Sequence, residues 1–298
     1  LRYAPIVVFA YNRADKLEYL LQSLEKNKNL DRMDLYIFVD IPDKKKPRDI
    51  PLSEKVIQYV NYYKVVSKFK NVEIEIAKKH KGLAESVISG VDKVINQYGK
   101  AIVLEDDLEV STDFLDYMQR GLDFYKDDKK IWSLTAHCPL VKGLGNYKKD
   151  VFLAPRAESW GWGTWKNRWN HMDWQVSSYN DFKRDFVGQA LFKLGGSNLC
   201  RMLKRQMTDS KFDSWAIRWS YQQFRERKYT VYPRESRVIH CGNDNRSTHS
   251  TYYSPQGLQE QYSQCVFCDL KPDFRLIWKF RCNSNRISGV SFSLGRKK

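Results

Sequence analysis

The chain has 298 residues, of which 42% are hydrophobic and 29% charged, with only 15 Gly and 9 Pro. That composition excludes a low-complexity, collagen-like or wholly disordered chain, and it supplies apolar mass for one large α/β domain or two modest ones around a cleft. Lys and Arg number 51 against 35 Asp and Glu, a net charge of +16 that draws in nucleotides, lipids or nucleic acid without choosing among them.

In chain order, Pro5-Ile-Val-Val-Phe-Ala10 is a continuous apolar run suited to a strand buried on both faces, and Leu17, Leu20, Leu21 and Leu24 follow at helical spacing. Leu35-Tyr-Ile-Phe-Val39 predicts a second strand ending in Asp40. A solvated loop from Pro42 to Pro47 precedes a helix marked by Val56, Val60 and Tyr63. Val72-Glu-Ile-Glu-Ile76 alternates as a third strand. Leu83, Val87, Val91, Val94 and Tyr98 mark a third helix, and Ala101-Ile-Val-Leu104 is a fourth strand running into Glu105-Asp106-Asp107. The next helix carries Leu115, Met118, Leu122 and Tyr125 on one face, with Ser111 or Thr112 expected as its cap.

Strands alternating with crossover helices predict a mainly parallel sheet with helices on both sides, whose ligand lies at the carboxyl ends of the strands. Past about residue 135 the alternation yields to Gly-, Trp- and Arg-rich sequence, which suggests a less regular second half over the same cleft. The expected division is a single catalytic domain over 1–273, with halves 1–135 and 136–273, and a basic amphipathic tail over 274–298. From Phe274 onward the tail holds Arg275, Lys279, Arg281, Arg286, Arg296, Lys297 and Lys298 around Leu276, Ile277, Trp278 and Phe280, a mixture suited to an anionic membrane surface or to a solvated end.

No stretch approaches the roughly 18 apolar residues of a membrane span, and the opening run is too short for a signal peptide. An intracellular location is the expectation. The six cysteines predict reduced thiols in a chain this long, although Cys265-Val-Phe-Cys268 has the spacing of half a zinc site.

Three carboxylates at a buried strand end repel one another unless a cation or strong donors neutralise them. A magnesium or manganese ion bound by one or two of them, its shell completed by phosphate oxygens, is the economical answer; the alternative is a solvated acidic lead-in to the next helix. Neither Gly-x-Gly-x-x-Gly nor Gly-x-x-x-x-Gly-Lys-Ser/Thr occurs, so hydride transfer and P-loop ATPase chemistry are unsupported. Trp160 and Trp162, beside glycines, suit a sugar- or base-binding loop, whereas Trp165 and Trp169 suit a helix core. Asp213 is either a helix cap or a carboxylate held at the cleft as a base. The polar segment from His240 to His249 is a lid over a diphosphate or an ordinary surface loop.

Four stretches, Ile6-Val-Val-Phe-Ala-Tyr-Asn-Arg13, Ala101-Ile-Val-Leu-Glu-Asp-Asp-Leu-Glu-Val-Ser-Thr-Asp-Phe-Leu115, Ser159-Trp-Gly-Trp162 and Phe212-Asp-Ser-Trp215, occur in this order across most of the chain. Together they resemble the GT-A fold nucleotide-sugar glycosyltransferases, and the chain looks like a bacterial relative of N-acetylglucosaminyltransferase I and the protein O-mannose N-acetylglucosaminyltransferases. The resemblance implies a DxD-type motif in which Asp107 ligates Mn2+ or Mg2+ while Glu105 and Asp106 face the sugar and ribose. It implies nucleotide contacts from Ala10, Tyr11, Asn12, Arg13, Asp40 and Trp162, and a catalytic base at Asp213, although the second acid of the family's pair is Ser214 here. It further implies inverting transfer from a UDP-sugar, with UDP-GlcNAc a candidate, to a glycan or lipid-linked glycan at the inner face of a membrane. A sugar nucleotidyltransferase would open with a glycine-rich basic loop that Tyr11-Asn12-Arg13 lacks. A nucleic-acid-binding protein would leave the acidic triplet unexplained.

Overall fold

The apolar runs become strands because helices cover both of their faces. The computed structural model describes residues 2–241, 257–259 and 261–284. In its first half β1 (Ile6–Ala10), α1 (Ala14–Leu24), β2 (Asp34–Val39), α2 (Ile50–Val66), β3 (Asn71–Ile76), α3 (Leu83–Tyr98) and β4 (Lys100–Glu105) alternate. Strand β1 pairs in parallel with both β2 and β4, and β2 pairs with β3. The chain thus steps outward from β1 to β3, then jumps back to the other side of β1. Strand order reverses between β1 and β4, which opens a crevice at their carboxyl ends.

After the acidic triplet come β5 (Leu108–Val110), α4 (Phe114–Phe124), β6 (Ile131–Thr135), β7 (Val151–Ala154) and β8 (Trp162–Trp165). The helices α5 (Lys166–Trp169), α6 (Tyr179–Phe182), α7 (Phe186–Phe192), α8 (Leu199–Thr208) and α9 (Trp215–Arg225) precede β9 (Tyr229–Pro233), β10 (Val238–His240) and α10 (Phe274–Ser284). The second half extends the same sheet, whose order is β3-β2-β1-β4-β8-β6-β9-β7. Only β8, between β4 and β6, and β7, at the edge, run against the rest. Strand β10 pairs with β5 as a separate two-stranded ribbon.

Alternate side chains of the sheet enter two cores. On one face Ile6, Val8, Leu104 and Leu134 pack with Leu17, Leu21, Val60 and Met118 from α1, α2 and α4. On the other, Val7, Phe9 and Phe38 meet Val87 and Val91 of α3. Helix α3 lies so close to β1 that a Cβ at Gly90 would stand 2.6 Å from the Phe9 ring.

Three local expectations change. Asp113 rather than Ser111 or Thr112 holds the N-cap position of α4, with no capping hydrogen bond from its side chain, and the Ser111 hydroxyl donates to the Asp113 carboxylate at 2.6 Å. Asp213 is not a cap either, because Ser214 takes that position and accepts from the Ile217 N–H. The first eleven residues of the expected tail form α10, whose Leu276, Ile277 and Phe280 are buried. Phe280 packs on Phe152 of β7 and Tyr232 of β9, since both strands turn aromatic rings to that face. Residues 285–298 lie outside the described residues.

Candidate active site

Backbone hydrogen bonds align the strand ends first. The Asp40 N–H donates to Ala10 O and the Asp106 N–H to Phe9 O, each at 3.0 Å, which levels the ends of β1, β2 and β4. Arg13, three residues past β1, then reaches across the crevice. Its guanidinium donates to Asp106 Oδ1 through Nη2 and stands 3.0 Å from Asp107 Oδ2 through Nη1. Sequence reading placed these three residues at one site, and the structure brings them into contact.

A second contact on Asp107 comes from the ribbon. Register pairs His240 with Leu108, and the Cys241 N–H donates to Asp107 O at 2.7 Å. His240 Nε2 consequently lies 3.1 Å from Asp107 Oδ2. The Trp160 ring stacks on His240 at 5.0 Å and 17°, and His137 meets Trp160 edge-on at 4.6 Å. Behind them His137 Nδ1 stands 3.3 Å from Glu158 Oε2.

Burial dominates the electrostatics. It pushes Glu105 up to about 8, with the neighbouring charges of Asp107 and Asp106 adding to the shift. It also pushes Asp106 up to about 6, outweighing the guanidinium that lowers it. Asp107 goes the other way: burial raises it, but the His240 hydrogen bond and the Arg13 charge together hold it below the ordinary aspartate value. Arg13 is itself held more firmly charged than usual, because the two carboxylates overcome its burial.

Even with Glu105 held protonated, Asp106 and Asp107 set two carboxylates against the one guanidinium of Arg13, which leaves the site negative at neutral pH. Such a site fits a hard divalent cation. Among the described residues no three His, Cys, Asp and Glu side chains form a ready cage, so the fit is to an ion taking few protein ligands. Both contacts on Asp107 fall on Oδ2, and Oδ1 takes neither.

The remaining expected residues are placed as follows. Ala10 is buried at the end of β1. The Tyr11 hydroxyl donates to Asp49 Oδ2 at 2.9 Å, and its ring lies 6.0 Å from that of His80. Asn12 lines a small cavity with Ala14, Asp15, Leu52 and Lys55. The Asp40 carboxylate accepts from the N–H groups of Ile41, Lys81 and Gly82 and stands 3.0 Å from His80 Nδ1. It thereby fixes the turn that starts α3.

Trp162 is a correction. It sits in β8 at 1% exposure, packed on Trp169, Trp215 and Trp219 at 5.8, 5.1 and 5.7 Å, so it is core and offers no face to a ligand. Trp160 and not Trp162 reaches the site, through its stack on His240. Asp213 lies two residues before Trp215, whose ring stacks on Trp162. Its side chain is 61% exposed and stands 2.6 Å from Arg218 Nη2.

Sequence reading missed Glu158, His137 and the positioning of His240. A lone acid beside Arg156 in an apolar stretch was the only signal for Glu158. His240 was grouped with a polar lid, but the structure puts it in a strand, and residues 242–249 of that expected lid lie outside the described residues.

Solved structures share a distant likeness with the chain. S. aureus TarS residues 1–349 in complex with UDP-GlcNAc is 15% identical, with a TM-score of 0.34 over 45% of this chain and 33% of that one. The chain thus spans about a third of the length of that relative. Another structure of TarS 1–349 is 10% identical, with a TM-score of 0.43 over 78% and 60% of the two chains. The mannosyltransferase PcManGT of Pyrobaculum calidifontis, in complex with GDP-Man and Mn2+, is 11% identical, with a TM-score of 0.39 over 55% and 46%. No curated protein matches the sequence. Residues 2–158 match the GNT-I family model; they span more than half of the chain and hold β1, β4, Arg13 and the whole acidic triplet, so the chain belongs to the GNT-I family and has the GT-A fold of its nucleotide-sugar glycosyltransferases.

Proposed function

We propose that the protein is a metal-dependent, inverting glycosyltransferase that moves a sugar from a UDP-sugar, UDP-GlcNAc by its family resemblance, to a glycan hydroxyl. The observation that carries this reading is the meeting of Arg13, after β1, with Asp106 and Asp107, after β4, at the crevice where strand order reverses.

Residues 1–135 act as the nucleotide half and 136–273 as the acceptor half. Tyr11, Asn12 and Asp40 form the wall on the β2 side, where the base and ribose lie. Arg13 is already out of water, so exchanging carboxylate oxygens for diphosphate oxygens costs it little further desolvation. Glu105 and Asp106 face the sugar and ribose. Asp107, steadied by His240 and the Trp160 ring, holds Mn2+ or Mg2+, which when bound neutralises charge developing on the leaving diphosphate. Asp213 takes the proton from the acceptor hydroxyl. Its exposure suits a base that meets an acceptor arriving from solvent, and Arg218 orients it.

Two variants test this. UDP binding by calorimetry should require Mn2+ or Mg2+ and vanish in Asp107→Ala; metal-independent binding of equal strength would count decisively against the reading. Asp213→Asn should keep donor affinity and lose turnover by about 10²- to 10⁴-fold, and undiminished turnover removes Asp213 from its role.

A further inference from the structure

Helix α7 buries Phe192 against Phe182 and Tyr221 and turns its other side to water. Phe186, Val187 and Leu191 are 84%, 72% and 52% exposed. At 3.6 residues per turn these three side chains fall within one arc of about 140°. Large apolar side chains displayed side by side on one helix face are unusual on a chain with no partner there. Lys183, Arg184 and the capping Asp185 precede the helix and Lys193 follows it.

Helix α10 continues this surface. It packs against the turn Lys193–Gly195 that follows α7, and its inner side is core. Its outer side shows Phe274 at 73% and Trp278 at 57% exposure, flanked by Arg275 and Lys279, with the Arg281 guanidinium 4.9 Å over the Trp278 ring. The basic character continues in sequence, because residues 285–298 add four Lys and Arg and no acid.

We propose that the outward faces of α7 and α10 together form a surface that docks on an anionic lipid bilayer, with Phe186, Val187, Leu191, Phe274 and Trp278 entering the headgroup and acyl boundary. Aromatic and aliphatic side chains flanked by more Lys and Arg than Asp are the chemistry of interfacial helices, in which apolar burial and attraction to acidic headgroups add. Here Asp185 and Asp273 at the two helix starts stand against Lys183, Arg184, Lys193, Arg275, Lys279 and Arg281. Among the described residues no helix is long and apolar enough to cross a membrane, so this binding lies on the surface and is reversible. It is a composite of two elements far apart in sequence, unlike the free tail that the sequence suggests. It stands independently of the transfer reaction.

The test is co-sedimentation of the full chain with vesicles of phosphatidylcholine alone and of phosphatidylcholine with equal phosphatidylglycerol. Binding to the second and not the first is expected. Two variants, F186S/V187S/L191S on α7 and F274S/W278S on α10, should each lower the bound fraction about tenfold or more. Their melting temperatures should fall by a few degrees at most, because Phe186, Val187 and Phe274 face water and Leu191 and Trp278 are about half exposed. Three results overturn the proposal: equal binding to both vesicles, binding undiminished in either variant, or a wild-type dimer in light scattering that the α7 variant dissociates. The last would make the face a contact between two copies of the chain.

Discussion

Arg13 bridges two carboxylates that are themselves nearly buried, so its removal strands them. Breaking a buried pair by deleting one partner costs about 3–5 kcal/mol, and Asp106, already pushed up to about 6, would rise further. Arg13→Leu should therefore lose stability of that order in urea denaturation with chelator present, while Arg13→Lys loses less. Glu158 gives a pH signature. Burial raises it, but His137 and Arg156 overcome burial and hold it below its ordinary value of 4.5. The stability it contributes is complete above that value and disappears as pH falls through the lower folded value. Glu158→Gln should lose less stability than the wild type between about pH 5 and pH 3, measured by thermal melts across that range.

The elements differ in how plainly the sequence announces them. Strands β1, β2 and β4 are legible because a strand buried on both faces must be an unbroken apolar run, and the acids that follow them mark where the run leaves the core. Strands β8 and β10 are not. Trp162-Gly-Thr-Trp165 reads as a loop because it holds a glycine between aromatics, yet Gly163 is required there: a Cβ would lie 2.9 Å from Ala101 O. Strand β10 has three residues and no partner nearby in sequence, so His240 looked mobile. For the same reason Trp162 looked like a binding platform when its neighbours, Trp215 and Trp219, lie some fifty residues on. As core, Trp162→Ala should cost about 3–5 kcal/mol, read from melts, while Trp162→Phe should leave the donor KM nearly unchanged.

Over the whole molecule the charge is not spread evenly about the crevice. The loop after β2 carries Lys44, Lys45, Lys46 and Arg48, and the turn after β3 carries Lys78 and Lys79, all exposed. Both lie at the carboxyl end of the sheet, beside the proposed donor site. A rim in which Lys and Arg outnumber the acids in this way raises the rate at which an anion arrives more than it slows departure. The association rate of a UDP-sugar should fall several-fold between about 50 and 500 mM salt, with the dissociation rate changing less, in stopped-flow measurements. Lys78→Glu with Lys79→Glu should reproduce the slower arrival at low salt.

The reversed strand β8 also governs how the polypeptide can mature. It fills the gap between β4 and β6, so β4 lacks its second neighbour until residue 165 has been synthesised, and β6 lacks its own until β9 ends at residue 233. A nascent chain stopped after residue 135 would hold the carboxylate triplet with β4 bare along one side, an open template for other chains. Severing the protein at that point should yield aggregates rather than a folded nucleotide-binding half, and the chain is obliged to fold as one piece.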